Sequence, residues 1–452
     1  MAHLTRPRPR TASPPGVAAL QSSVPLTVVA AASFLPYLNL GPLSVPSQVQ
    51  PWAALLAWLW VGGRLLTTGI RITALQFTLV LFAAWFMFYV YGGDGFDLQI
   101  YLRRSASFLL SAGIFLACQY LTPATLWRAL KLTLPLWLLF AMLRYLAPTI
   151  YFELVTPLVP TVVNSGARGT SSLAPEATDF GFTMAFMVVL CMIARRRLQE
   201  EGARAEKWPL AFAIAGALLS QSGTGYIGLA LIGVVYLATR PSGQLGVIGK
   251  SAIAVVVAVP AILALDTLSS SGIRGIDLLS TAIRSPAELL DTTVSYRIAH
   301  NVVGVLGMLD TGLRGYGAGA FVNEAPDVYA RHSVGSMLGL NAYYGDSVPA
   351  TLSQSPVSQF AVIMLEFGII GVAYAFIIFL FAMRSQIPFR TIAVVILAVT
   401  WLNSFPAGWP PFWVLVGIMM SPHFRSVGTS GGVNVDDVAT SPAPTVPAER
   451  LR

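Results

Sequence analysis

Apolar runs close to the length of a bilayer crossing recur along most of this chain. A helix needs about 20 mostly apolar residues to cross the hydrocarbon core, and fewer when it is packed inside a bundle. Twelve stretches qualify: 24–43, 51–66, 72–91, 101–120, 132–148, 177–194, 208–221, 226–239, 251–268, 357–383, 391–404 and 409–421. The expected fold is an all-α polytopic membrane protein with about 12 transmembrane helices. Charged residues make up 11% of the chain, against roughly 25% in soluble domains. The net charge of +8 comes from basic residues that flank the apolar runs. That placement is how positive cytoplasmic loops control topology, so it does not point to a nucleic-acid partner.

The turns order themselves by charge. Arg64 and Arg71, Arg128 and Lys131, Arg195 to Lys207, Arg240 and Lys250, and Arg384 and Arg390 follow alternate spans. With the N-terminus inside, Lys131, Lys207 and Lys250 all face the cytoplasm, as the positive-inside rule requires. The expected organisation is a cytoplasmic N-terminal arm over 1–23 and helices one to nine over 24–268, with a periplasmic segment at 149–175. A large periplasmic loop over 269–356, helices ten to twelve over 357–421 and a disordered cytoplasmic tail over 422–452 follow. Arg6, Arg8 and Arg10 are not followed by the apolar core of a signal peptide. Cys118 and Cys191 both lie in apolar runs and read as small buried hydrophobes. No internal repeat is visible, which weighs against a transporter built from inverted halves.

The loop 269–356 is the one long polar segment between apolar runs, and its basic residues are all arginines, including Arg297, Arg314 and Arg331. A guanidinium presents forked donors that match phosphate oxygens two at a time. Arg103, Arg104, Arg168, Arg297 and Arg314 are therefore the candidates for holding a diphosphate at the membrane surface; each alone reads more readily as a snorkelling or ion-paired residue, and it is the set together that points to an anion. Arg168 opens a stretch that enters the sixth span through Pro175 and Glu176. Pro175 suits the first turn of a helix, and Glu176 then reads either as an acid favoured by the helix dipole or as a general base. Asp179 lies three residues further on, where it is a second acid or tunes Glu176. His300 shares a helical face with Arg297 and is the rival base. Gly315, Tyr316, Gly317 and Gly319 form a glycine-rich turn that lets backbone approach a ligand or another stretch of chain. There is no HExxH motif, and His300 and His332 are far apart in sequence, so no metal is expected.

Four pieces, in order, carry a resemblance: Arg168 to Gly181; Leu219 to Gly225; Arg297 ahead of Gly315 to Gly319; and Leu365-Glu366-Phe367-Gly368-Ile369-Ile370-Gly371. The chain resembles the superfamily of O-antigen polymerases and O-antigen ligases of bacterial envelopes. The resemblance implies a fold like that of the C-type glycosyltransferases, in the bacterial inner membrane, with one large periplasmic loop containing short helices. It implies metal-independent, inverting glycosyl transfer on the periplasmic face, with no cofactor. Donor and acceptor are glycans on polyprenyl diphosphate, the product is O-antigen, capsule or exopolysaccharide, and a chain-length regulator is a candidate partner. The arginines would stabilise the leaving diphosphate, and an acid would deprotonate the attacking hydroxyl. Ligases of the superfamily tend to carry a histidine just before the span that holds Glu366. This chain reads Gln354-Ser355-Pro356-Val357-Ser358 there, which favours the polymerase branch. A ligase, or a transporter or flippase for a lipid-linked or anionic substrate, are the alternative readings.

Overall fold

The computed structural model describes residues 24–39, 47–70, 72–159, 162, 169–239, 280, 284–285, 295–339, 348–353, 358–402 and 406–425. The N-terminal arm, the expected ninth span and nearly all of the tail lie outside these. The described elements are α1 (Val24–Ser33), α2 (Trp52–Thr67), α3 (Ala74–Phe86), α4 (Leu98–Cys118), α5 (Pro123–Leu146), α6 (Pro148–Leu158), α7 (Ala177–Glu200), α8 (Trp208–Leu219) and α9 (Gly223–Thr239). From the large loop come α10 (Ser295–Asp310), α11 (Phe321–Arg331) and the single turn α12 (Val334–Met337). The chain closes with α13 (Gln359–Arg384), α14 (Arg390–Leu402), α15 (Pro410–Met420) and a 3₁₀ turn at Pro422–Phe424. Among the described residues, four helices, α4, α5, α7 and α13, are long and apolar enough to cross a membrane, and seven more are apolar but shorter. A membrane protein with an all-helical fold follows.

Local chemistry sets the helix starts. The Thr73 hydroxyl accepts from Gln76 N–H while Gln76 accepts from Thr73 N–H, closing a capping box on α3. The Asp97 carboxylate caps α4 by accepting from the amides of Gln99 and Ile100. Thr122 followed by Pro123 starts α5 nine residues before the expected span, so Arg128 and Lys131 lie on that helix rather than in a turn. The reverse happens at α7. Pro175 is not in its first turn. Glu176 is the N-cap residue in extended geometry, and Asp179 is the first-turn acid.

In lipid, helix association draws on close packing rather than on water exclusion, and small residues let backbones meet. Helix α7 is the buried centre of the bundle, closed in from Phe180 to Cys191. It meets α9 where Gly181 faces Gly225. A Cβ on Gly181 would come within 3.1 Å of Gly225 Cα and 2.1 Å of Ser222 Oγ. The segment ahead of α7 is no surface loop. Thr170 to Pro175 are buried; the Tyr151 hydroxyl of α6 donates to Ser172 O at 2.6 Å, and Ser172 Oγ donates to Trp137 O at 2.5 Å.

Helix α13 breaks its own ladder. Gly368 sits at φ 56°, ψ −141° inside it, a conformation only glycine adopts without strain. The groups freed at the kink are taken up by the turn between α10 and α11. Tyr316 N–H donates to Leu365 O at 2.9 Å, Gly317 N–H to Glu366 O at 2.8 Å, and Ile369 N–H to Leu313 O at 2.8 Å. Such re-pairing from a neighbouring segment is what lets a helix break inside a bilayer. The same turn reaches the end of α3, where Ala318 N–H donates to Tyr89 O at 2.8 Å. Helix α11 is tied down by Tyr91 Oη, which donates to Glu324 Oε1 at 2.7 Å, and by Asn323 Nδ2, which donates to Gly95 O at 2.9 Å.

Candidate functional site

The first part of the site is a cavity of about 590 Å³. It lies among the 47–51 segment ahead of α2, the first half of α4, Gln359 at the start of α13, and the 406–410 segment leading into α15. A volume in the 300–1,000 Å³ range is typical of small-ligand sites. Its walls are largely apolar, with Ala54, Leu102, Phe108, Leu110 and Ala407 among them, and both Arg103 and Arg104 line it. Asp97 fixes their position by setting the register of α4. The Arg104 guanidinium makes no hydrogen bond or close ion pair with any described residue; it is attracted by the Glu366 carboxylate and repelled by Arg103. Its donors are uncommitted, and they line an apolar space.

Glu366 is the residue that sequence reasoning undervalued. In the sequence it stands out only as part of a motif, but in the fold it is 0% exposed. Oε1 accepts from Phe321 N–H at 3.2 Å, and Oε2 has no hydrogen-bond partner among the described residues. The signal was present: a lone acid inside a long apolar run is a functional candidate by default. Arg144, a lone base in the fifth apolar run, falls under the same rule. It lies over the Phe152 ring at 4.0 Å and near the Tyr151 ring at 5.5 Å, so cation–π packing on α6 accounts for at least part of its role.

The second part lies on α10. His300 is fully buried, with its ring 5.9 Å from that of Phe321 and Nε2 3.4 Å from Thr351 Oγ1. Burial, with the Arg297 charge added, pushes its pKa down to about 4. The imidazole is therefore neutral near pH 7. Arg297 is itself pushed down by burial. One residue along, Asn301 Oδ1 accepts from Ser358 Oγ at 2.9 Å, and Ser358 caps α13 directly ahead of Gln359. Phe321 thus links His300 to Glu366, and Asn301 links α10 to the cavity wall.

Glu176 and Asp179 form the third part, close enough to interact electrically. Asp179 also acts on Tyr37. The turn at Ser220 to Gly225 supports them. Thr224 Oγ1 donates to Thr178 O at 3.3 Å, and a Cβ on Gly169 would lie 2.2 Å from Ser220 O.

The structure thus brings the expected residues together as three pairs: Arg103 with Arg104, Arg297 with His300, and Glu176 with Asp179. Among the described residues, only the first pair lines the cavity. Arg314 is exposed at the turn, where its carbonyl accepts from the Tyr89 hydroxyl at 3.1 Å. Arg168 lies outside the described residues. Gly315, Tyr316, Gly317 and Gly319 approach another stretch of chain. A Cβ on Gly315 would lie 2.6 Å from Glu366 O, and one on Gly317 2.6 Å from Tyr91 N. The four motifs pair off, the first with the second and the third with the fourth. Among the described residues, no group of three or more His, Cys, Asp or Glu is placed to hold a metal ion. No known family model matches the chain, and no curated protein matches it.

Proposed function

We propose that the chain joins oligosaccharide repeat units carried on polyprenyl diphosphate, at the periplasmic face of a bacterial inner membrane with about twelve spans. The observation that carries this reading is the apolar cavity lined by Arg103 and by an Arg104 that has no hydrogen-bond partner among the described residues. Apolar walls suit a prenyl chain, and paired guanidinium groups suit the diphosphate at its head. In the reaction, a sugar hydroxyl of the acceptor attacks the anomeric carbon of the donor. The bond from that carbon to the diphosphate oxygen breaks, and the electron pair leaves with the lipid diphosphate. The hydroxyl proton passes to Glu176, the carboxylate assigned as base. Arg103 and Arg104, with Arg168, Arg297 and Arg314 from the loops, meet the charge that develops on the leaving group.

A flippase for the same lipid is the second reading. The buried Glu366, acting on Arg104 within the helices, favours it, because ionisable residues inside the membrane mark substrate pathways. Lipid-linked glycans extracted from cells lacking this chain separate the two. A polymerase leaves single repeat units accumulating on the periplasmic side, and Glu176→Gln reproduces that block at normal protein levels. A flippase leaves them on the cytoplasmic side. Polymer of normal length in the deletion strain removes both readings.

A further inference from the structure

Among the polar groups of the cavity that the diphosphate reading does not use is Gln359. Gln359 is 3% exposed, lines the cavity, and its side-chain amide makes no hydrogen bond with any described residue. Its neighbour Ser358 is held on both sides: Oγ donates to Asn301 Oδ1, and Ala361 N–H donates back to Oγ at 3.4 Å. Gln359 is therefore fixed at the backbone with its amide uncommitted. An amide that lines a cavity takes its partners from whatever fills that space, water or a ligand.

We propose that Gln359 reads the sugar attached to the diphosphate, and is thereby a specificity-determining residue of the cavity. This rests on the function proposed above. The argument is one of donors and acceptors. A side-chain amide offers two N–H donors and a carbonyl acceptor. A diphosphate has acceptors only, so it satisfies the NH₂ and leaves the carbonyl unmet. A sugar hydroxyl donates and accepts, and so satisfies both. Arg103 and Arg104 line the same space, which puts an anion-binding group and a hydroxyl-binding group within one ligand's reach. A site built to bond a hydroxyl rejects the analogue that lacks it far more strongly than an apolar wall can.

The test compares binding of undecaprenyl diphosphate, undecaprenyl diphosphoglucose and undecaprenyl diphospho-N-acetylglucosamine to the purified full chain in lipid nanodiscs. Wild type is expected to prefer at least one glycosylated lipid over the bare diphosphate. Gln359→Leu should lower the affinity for that glycolipid about tenfold and the affinity for bare diphosphate by much less. Gln359→Asn keeps the amide on a shorter stem, and is expected to lose the same preference in part; it decides the question if the leucine variant does not fold. Equal loss for both lipids, or no loss for either, overturns the assignment of Gln359 while the diphosphate reading stands. Wild type that binds none of the three lipids overturns that reading and this inference with it.

Discussion

An arginine without a carboxylate within bonding distance is costly inside a helical bundle unless a ligand meets it. Arg104 is such a residue, and a charge-assisted hydrogen bond to phosphate contributes roughly 1.5–3 kcal/mol. Arg104→Ala is expected to weaken undecaprenyl diphosphate binding by about 10- to 100-fold. Arg104→Lys should recover only part of this, since an ammonium is a point charge rather than a fork. Equal affinity for wild type and the alanine variant in a nanodisc titration would remove Arg104 from the site. His300 makes a different kind of prediction. Burial, with Arg297 beside it, lowers its folded pKa to about 4 from an ordinary 6.5. A depressed histidine pKa means that the unfolded chain binds more protons between those two values. The stabilisation is complete above about pH 6.5 and is lost progressively as pH falls toward 4, about 3 kcal/mol in all. Thermal melts from pH 4 to 7.5 should show His300→Phe losing less stability with acid than wild type. Parallel curves would place the acid sensitivity elsewhere.

The helices are held at points where a side chain has no room. At the α13 kink a Cβ on Gly368 would stand 2.2 Å from Leu313 O, at a φ of +56°. Gly368→Ala is expected to cost about 3 kcal/mol, from backbone strain and the displaced turn together. Because that turn leads directly into Phe321, whose N–H bonds Glu366, loss of the kink should also disturb the site. Gly181→Ala acts at the α7–α9 crossing, away from the cavity. It is expected to cost about 1–3 kcal/mol as α9 is pushed outward. Melting of the two variants in the same detergent checks both. An unchanged midpoint for Gly368→Ala would mean that the helix runs straight through.

The two ends of the bundle differ in chemistry. At one end lie the cavity, the glycine-rich turn and α10. At the other, Lys131 Nζ pairs with Glu206 Oε1 at 3.1 Å, the Trp127 indole donates to Glu206 Oε2 at 2.9 Å, and Arg197 donates to His423 O at 3.1 Å. The two described lysines, Lys131 and Lys207, lie at the second end, as the positive-inside rule expects of a cytoplasmic face. Reporter fusions at Ser165 and Ser285 are therefore expected to mark one common, non-cytoplasmic side. Opposite sides at those two positions would dismantle both the topology and the site built on it.

Apolar run length, the flanking charges and the Thr-Pro, Asp and Ser helix starts are local properties. The sequence alone was enough for a helical membrane protein with its helices near their observed places. It was also enough to single out Arg103 and Arg104 by residue type. It misjudged Glu176, because a proline before an acid marks a helix start without fixing which residue is the cap. What the glycines at 315 to 319 approach is decided by a kink some fifty residues away in α13. The cavity is likewise a product of packing: Arg104, Gln359 and Gly408 meet only when α4, α13 and α15 are side by side. No periodicity records that meeting, because in lipid the partners are selected by which backbones fit closely, and fit is a property of two surfaces together.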